Sequence, residues 1–345
     1  MTGERPTRLL GAERPLMESH RLLLLDLDGV VYLLDHPIDG VIETLAAHRG
    51  EGGRVVFVTN NAARAPETVA GALSGMGVAA EAGEVLSSSR TAATLLAGRL
   101  APGASVLVIG TESLVAEVRR AGLTPVTAAE DAEAVVQGYS PDVSWRDLAE
   151  ATVAVREGAL WVATNPDPTL PSKRGPLPGN GALIGAVRTA AGRGPDAVAG
   201  KPGPAMFEQA AAVAPELSAL VVGDRWDTDI EGAVAAGVPS MLVLSGITRP
   251  AEVLSIPENA RPEYLGWGLR DVRLPQPGTR WHGDAVVCGG FTAAAEDAVL
   301  RLSGAGEPLD ALRALAELAW ATPGWEKVTG DGEDAVAALR ELDFG

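Results

Sequence analysis

The stretch LLLLDLDGVVY, running from Leu22 to Tyr32, decides how this chain is read. Four consecutive leucines form the kind of apolar run that a strand buried on both faces of a sheet requires. The run ends in two aspartates one residue apart, Asp26 and Asp28, and Gly29 then lets the chain turn. Such a strand delivers both carboxylates to one point at the edge of the sheet. Few cores tolerate that arrangement unless chemistry uses it.

Outward from this strand, short apolar runs alternate with amphipathic, alanine-rich segments, the pattern of parallel strands joined by crossover helices. A turn and helix are predicted over 37–49, a strand over 54–58 that ends in Thr59, Asn60 and Asn61, and a helix over 66–76 capped by Gly77. The pattern then restarts with a helix over 87–100, a strand over 104–109, a helix over 113–121, a strand over 134–137, a helix over 144–157 and a strand over 160–163. The proline- and glycine-rich segment TNPDPTLPSKRGPLPGNG, 164–181, reads as a long loop of the sort that carries function, followed by a helix over 181–192. Past Gly200 the chain returns to the first sheet through a helix, a strand over 218–222, the turn and helix of GDRWDTDIEGAVAAG, and a strand over 239–244. Beyond 272 one strand-like run, 284–289, is accompanied by three predicted helices, 292–303, 308–321 and 332–342. The expected fold is α/β. A doubly wound parallel-sheet core (21–84 and 200–272) carries an inserted α/β domain (85–199), an N-terminal arm (1–20) and a small α-rich C-terminal module (273–345).

Composition narrows the functional classes. With 345 residues, two or three domains are expected. A net charge of -17 argues against a nucleic-acid partner, which would want a basic face. No apolar run reaches membrane length, so no membrane partner is expected. The first 20 residues lack the apolar core of a signal peptide, and the single Cys288 excludes an internal disulfide and any multi-cysteine metal site. Both points suit a reducing, cytoplasmic setting. Only three lysines occur, Lys173, Lys201 and Lys327, which draws attention to where each one sits.

Ligands of an open parallel sheet bind outside the carboxyl ends of its strands, so residues distant in sequence are expected to meet there. Asp26 and Asp28 end one strand, Thr59 ends a second, and Asp224 and Asp229 follow a third. Carboxylates brought together repel and raise one another's pKa values, a problem that a hard divalent cation removes; oxygen ligands of this kind favour Mg²⁺. A carboxylate beside Mg²⁺ attacks a phosphate ester in line, and Asp26 fits that nucleophile. Asp28 fits the acid that protonates the leaving alkoxide and the base that later activates water. The Thr59 hydroxyl and the backbone around Asn60 and Asn61 are placed to hold transferring oxygens, with Lys201 neutralising the remaining charge.

Four segments carry a resemblance. DLDGV (26–30), VTNN (58–61), GKP (200–202) and GDRWDTDI (223–230) resemble the four ordered motifs of haloacid-dehalogenase (HAD) superfamily phosphatases. About thirty residues separate the first two motifs and about 140 separate the second and third, which is similar to the NagD-like, or nitrophenylphosphatase, branch with its large cap at that point. The resemblance covers roughly residues 20 to 272 and implies a Rossmann-like core with residues 85–199 as a cap over the substrate. It implies Asp26 as nucleophile and metal ligand, Asp28 as acid/base and backbone-carbonyl ligand, Asp224 as third ligand and Asp229 in support, orienting metal waters or Lys201. It further implies Mg²⁺ as cofactor and a small phosphorylated metabolite as partner, and it admits a homodimer formed through the caps. The second aspartate favours phosphoester hydrolysis over dehalogenation, which has no alkoxide to protonate.

Among the substrates of that branch are glycerol 3-phosphate, phosphoglycolate, pyridoxal phosphate and nucleotides. A histidine before the cap-loop proline accompanies the pyridoxal pattern, and this chain has Leu170 before Pro171. The appended module and the arginine- and alanine-rich composition resemble actinobacterial members, which favours glycerol 3-phosphate. A different class of reading makes the C-terminal module a regulatory or partner-binding element. His20, His36, His48 and His282 show no metal-ligand spacing, and Cys288 reads as a buried small residue.

Overall fold

Leu22–Leu25 forms the predicted strand and is buried along its whole length. It pairs in parallel with Ala219–Gly223, which pairs with Ser240–Val243, which pairs with Tyr264–Gly266. The computed structural model describes residues 6–170 and 174–344. The chain divides into two compact units, the first comprising residues up to Val55, Met76–Val78 and everything from Ala214, the second Val56–Gly75 and Ala79–Val213.

In the first unit the four parallel strands are near-continuous apolar runs, as a sheet shielded on both faces demands. The strand Arg54–Thr59 starts here, where the Arg54 N–H donates to the Arg21 carbonyl at 2.8 Å, and runs on into the second unit. Residues of the N-terminal arm belong to the same unit: Leu9 and Leu16 are buried, and the Ala12 and Gln276 backbones bridge.

The C-terminal region departs from the α-rich expectation. It is a five-stranded mixed sheet in the order Arg280–His282, Ala285–Cys288, Phe291–Glu296, Val299–Gly304 and Lys327–Asp331, with the last pair parallel and the others antiparallel. Where alanine content predicts a helix over 292–303, the chain forms a hairpin whose two-residue link places Asp297 at φ 53°, a conformation that aspartate tolerates better than most side chains. Phe291, Ala293, Leu300 and Leu302 point inward with period two, and this burial overrides the helix propensity of the alanines. The helices Pro308–Ala321 and Glu333–Glu341 form as predicted. Burial pushes the Cys288 thiol up to about 12, in keeping with its reading as a buried small residue.

Pro308–Ala321 is buried on nearly every side, packed against both the mixed sheet and the strand Tyr264–Gly266, so the two sheets share one core. Its three buried charged residues are all paired. The Arg313 guanidinium donates to Asp310 Oδ1 at 2.6 Å, the Leu265 carbonyl at 2.7 Å and Gln276 Oε1 at 2.6 Å. Glu317 accepts from the N–H groups of Arg8 and Leu9 and from Thr279. Removing one partner of a buried pair strands the other, so Arg313→Ala is expected to lower unfolding free energy in urea by about 3–5 kcal/mol. A loss below roughly 1 kcal/mol, the value typical of surface pairs, would contradict this role.

Two histidines of the first unit link stability to pH. Burial pulls the pKa of His20 and of His48 below the ordinary 6.5. The folded protein holds them neutral while the unfolded chain takes up protons near pH 6.5, so their contribution is full above that pH and is lost as pH falls towards their folded values. Melting temperature should therefore drop between pH 7.5 and pH 5.5, and the His20→Asn/His48→Asn variant should show a shallower slope. An unchanged slope in the variant would remove the histidines as its cause.

The second unit holds a five-stranded parallel sheet in the order Ala197–Val198, Leu160–Ala163, Ala134–Gln137, Ser105–Ile109 and Thr124–Val126. Apolar clusters cover both of its faces. Here also Phe57–Thr59 pairs in parallel with Val85–Ser87. Val85–Ser87 and Thr124–Val126 escape the sequence reading because each spans three residues, and Ser87 serves as N-cap of the helix Ser88–Ala97 rather than its first residue. The long loop contains a small hairpin, Thr169–Leu170 with Leu177–Pro178, and its residues 171–173 lie outside the described residues. No helix among the described residues is long and apolar enough to cross a membrane.

Candidate active site

In the first unit the carboxyl ends of Leu22–Leu25 and Ala219–Gly223 lie side by side, and the residues that follow them meet. One ligand atom each from Asp26, Asp224 and Asp229 falls within 4.8 Å of the others. Asp224 and Asp229 are 2% and 1% exposed, so their charges sit where mutual repulsion is poorly screened.

Local backbone explains the arrangement. Asp26 begins directly after its strand, its N–H donating to the Val222 carbonyl at 3.0 Å. Asp224 is held twice by the loop after Ser240–Val243: Oδ2 accepts from the Ile247 N–H at 2.7 Å, and its carbonyl from the Thr248 N–H at 3.1 Å. Asp229 lies in a π-helical turn, Trp226–Ile230, in which the Ile230 N–H reaches back to the Arg225 carbonyl; its Oδ2 accepts from the Arg225 N–H at 3.1 Å. Such turns recur at functional sites. Gly29 has φ 86°, and a Cβ there would lie 2.5 Å from Asp224 Oδ2, so a side chain is excluded both by conformation and by contact with the acidic group.

Asp28 stays outside the carboxylate group. It is exposed, and its Oδ2 accepts from the Tyr32 hydroxyl at 3.3 Å. Trp226, inside the fourth motif, packs against the core shared with the C-terminal region. The three carboxylates supply only hard oxygen donors, the chemistry that Mg²⁺ or Ca²⁺ takes and that soft-ligand metals do not.

In the second unit Thr59, Asn60 and Lys201 come together. Thr59 and Lys201 are buried, and Lys201 Nζ lies 3.4 Å from the Val58 carbonyl. Asn60 spends its side chain on the lysine's backbone: Oδ1 accepts from the Lys201 N–H at 2.8 Å and Nδ2 donates to the Lys201 carbonyl at 3.0 Å. The Asn61 N–H donates to Thr59 Oγ1 at 3.1 Å, while Asn61 Oδ1 accepts from the Ala63 N–H. Sequence reasoning missed Ser88 and Asn165, which donate to the Asn60 carbonyl of this turn, and Asn180, which donates to the Asn165 carbonyl. The signal available for Asn165 was its place at the end of Leu160–Ala163, where a loop of a parallel sheet carries function.

Comparison with known proteins adds three findings. Residues 23–124 match the profile of a haloacid dehalogenase-like hydrolase, residues 198–272 a HAD-hydrolase-like profile, and residues 288–344 a GCN5-related N-acetyltransferase-like domain. The chain is 46% identical over 316 residues to a D-glycerol 3-phosphate phosphatase of Mycobacterium tuberculosis, covering 89% of this chain and 88% of that one. Among solved structures, a glycerol phosphate phosphatase of M. tuberculosis in complex with magnesium superposes with a TM-score of 0.87 at 40% identity, over 97% of this chain and all of that one. A 4-nitrophenylphosphatase of Thermotoga maritima follows at 0.68 and 30% identity, covering 75% of this chain and 98% of its own.

Proposed function

The chain belongs to the haloacid dehalogenase-like hydrolases, in the NagD and nitrophenylphosphatase branch, and is a phosphoric monoester hydrolase; on that premise we propose that it releases phosphate from glycerol 3-phosphate, with Asp26 as nucleophile. The observation that carries the chemistry is the Asp26, Asp224 and Asp229 group at the carboxyl ends of two neighbouring parallel strands. The substrate assignment is supported by the 46% identity to the mycobacterial glycerol 3-phosphate phosphatase over nearly its whole length.

Asp26, Asp224 and the Asp28 carbonyl would hold Mg²⁺, with Asp229 orienting the group from behind. When bound, the ion offsets repulsion between the Asp26 carboxylate and the phosphoryl oxygens. A carboxylate oxygen of Asp26 attacks phosphorus, the bond to the substrate's alcohol oxygen breaks, and Asp28 gives its proton to the departing alkoxide. Asp28 then takes a proton from water, which attacks the aspartyl phosphate and frees inorganic phosphate. Thr59 donates to a phosphoryl oxygen and Lys201 balances its charge, groups that matter most as charge redistributes in the transition state.

An initial-rate panel tests the assignment. With Mg²⁺, kcat/KM should be highest for glycerol 3-phosphate when compared with phosphoglycolate, pyridoxal phosphate and nucleoside monophosphates, and chelation of the metal should remove phosphate release. A higher kcat/KM for any other member would reassign the substrate. Full activity in excess chelator would remove the metal.

A further inference from the structure

Hydrogen bonds from two side chains of the second unit converge on one peptide group. The Asn60 carbonyl accepts from Ser88 Oγ at 2.7 Å and from Asn165 Nδ2 at 2.9 Å. In a trans peptide the carbonyl and the following N–H point in opposite directions. Fixing that carbonyl therefore aims the Asn61 N–H the other way, where it donates to Thr59 Oγ1 at 3.1 Å. A hydroxyl oxygen that accepts on one side turns its own proton elsewhere.

Asn165 is itself locked. Its Oδ1 accepts from the Asp167 N–H at 3.2 Å, and its carbonyl accepts from Asn180 Nδ2 at 2.8 Å. Asn180 Nδ2 also reaches the Gln137 carbonyl at 3.1 Å, at the end of the neighbouring strand. Asn165 and Asn180 are 6% and 1% exposed, so these bonds form in surroundings where an unmet polar group is costly. The same turn grips Lys201 through both polar atoms of the Asn60 side chain. Clearance is small: a Cβ on Gly200 would lie 2.5 Å from Asn60 Oδ1 and 2.7 Å from the Thr164 carbonyl.

We propose that Asn165 is a positioning residue: by holding the Asn60 carbonyl it orients the Asn60–Asn61 peptide and through it the Thr59 hydroxyl that donates to the substrate's phosphoryl group. The inference rests on the reading of Thr59 as a phosphoryl donor. It reaches past that reading in assigning the loop after Leu160–Ala163 a part in transition-state stabilisation and not only in enclosing substrate.

A double-mutant cycle on the full chain separates the possibilities. Asn165→Ala should lower kcat with glycerol 3-phosphate by roughly 10- to 100-fold with less change in KM, the pattern of a misaimed donor. In a Thr59→Ala background the same substitution should cost less than about twofold, because the group it acts through is gone. Asn165→Leu, which keeps the approximate volume and adds no charge but lacks the donor to the Asn60 carbonyl, should give the same cycle, and it serves if the alanine variant does not fold. Equal losses in both backgrounds would overturn the proposal and leave Asn165 a packing residue. Thr59→Ala with unaltered kcat/KM would remove the underlying reading of Thr59, an outcome distinct from additivity.

Discussion

Asp26→Asn is expected to lower phosphate release by roughly 10⁴-fold or more, because no other carboxylate replaces a lost nucleophile in this chemistry. The fold should survive. Asp26 shares its surroundings with Asp224 and Asp229 within 4.8 Å, and neutralising one of three clustered carboxylates relieves repulsion. In metal-free buffer the variant should therefore melt at the same temperature as the parent or above it, while its gain in melting temperature on adding Mg²⁺ should shrink. Turnover within tenfold of the parent would remove Asp26 as nucleophile. A variant that melts well below the parent without metal would contradict the account of the acidic group.

Truncation after Val272 is expected to give an insoluble or unfolded chain. The C-terminal region is not a separable appendage, since Leu242, Val253 and Leu265 of the parallel-sheet side share one core with Leu300, Leu312 and Leu315. Losing buried leucines costs about 2 kcal/mol each by transfer alone, and several together exceed the total stability of a typical domain, about 5–15 kcal/mol. Arg313 and Glu317 also hold backbone groups of Leu265, Arg8 and Leu9 that truncation would leave buried without partners. A soluble, cooperatively melting truncated chain with unchanged kinetics would show the opposite. Unchanged oligomeric state, stability and kinetics in that chain would also count against a regulatory or partner-binding role for the module.

The acidic group was legible in the sequence because strand ends announce themselves. Four leucines stop at Asp26, and the run to Val222 and Gly223 stops at Asp224, so both carboxylates are placed by the strands alone. Asp229 depends on more: it is carried by an i+5 turn in which the Ile230 N–H reaches the Arg225 carbonyl, and its residues read equally well as an ordinary helix start. The C-terminal hairpin was hidden by composition. TAAAEDAVLRLS contains helix formers, and only Asp297 in its left-handed conformation and the period-two burial of Phe291, Ala293, Leu300 and Leu302 mark strands, neither of which is visible before the partner strands exist. Asn180 and Ser88 were illegible for a third reason, and Asn165 was signalled only by its place just past the strand Leu160–Ala163. Each acts on a backbone carbonyl supplied by a distant part of the chain, and no side-chain pattern records which carbonyl that is.

The claim on which the rest depends is the covalent step at Asp26. It is tested by acid quenching Asp28→Asn, in which the base for the second half-reaction is lost, during reaction with Mg²⁺ and 4-nitrophenyl phosphate, whose phenolate leaves without the proton that Asp28 gives to an alkoxide, followed by peptide mass mapping. The account predicts one phosphoryl group on the peptide that contains Asp26, absent from the Asp26→Asn/Asp28→Asn variant. A phosphoryl group on any other residue, or phosphate release by this variant with no labelled peptide at any time point, would contradict it.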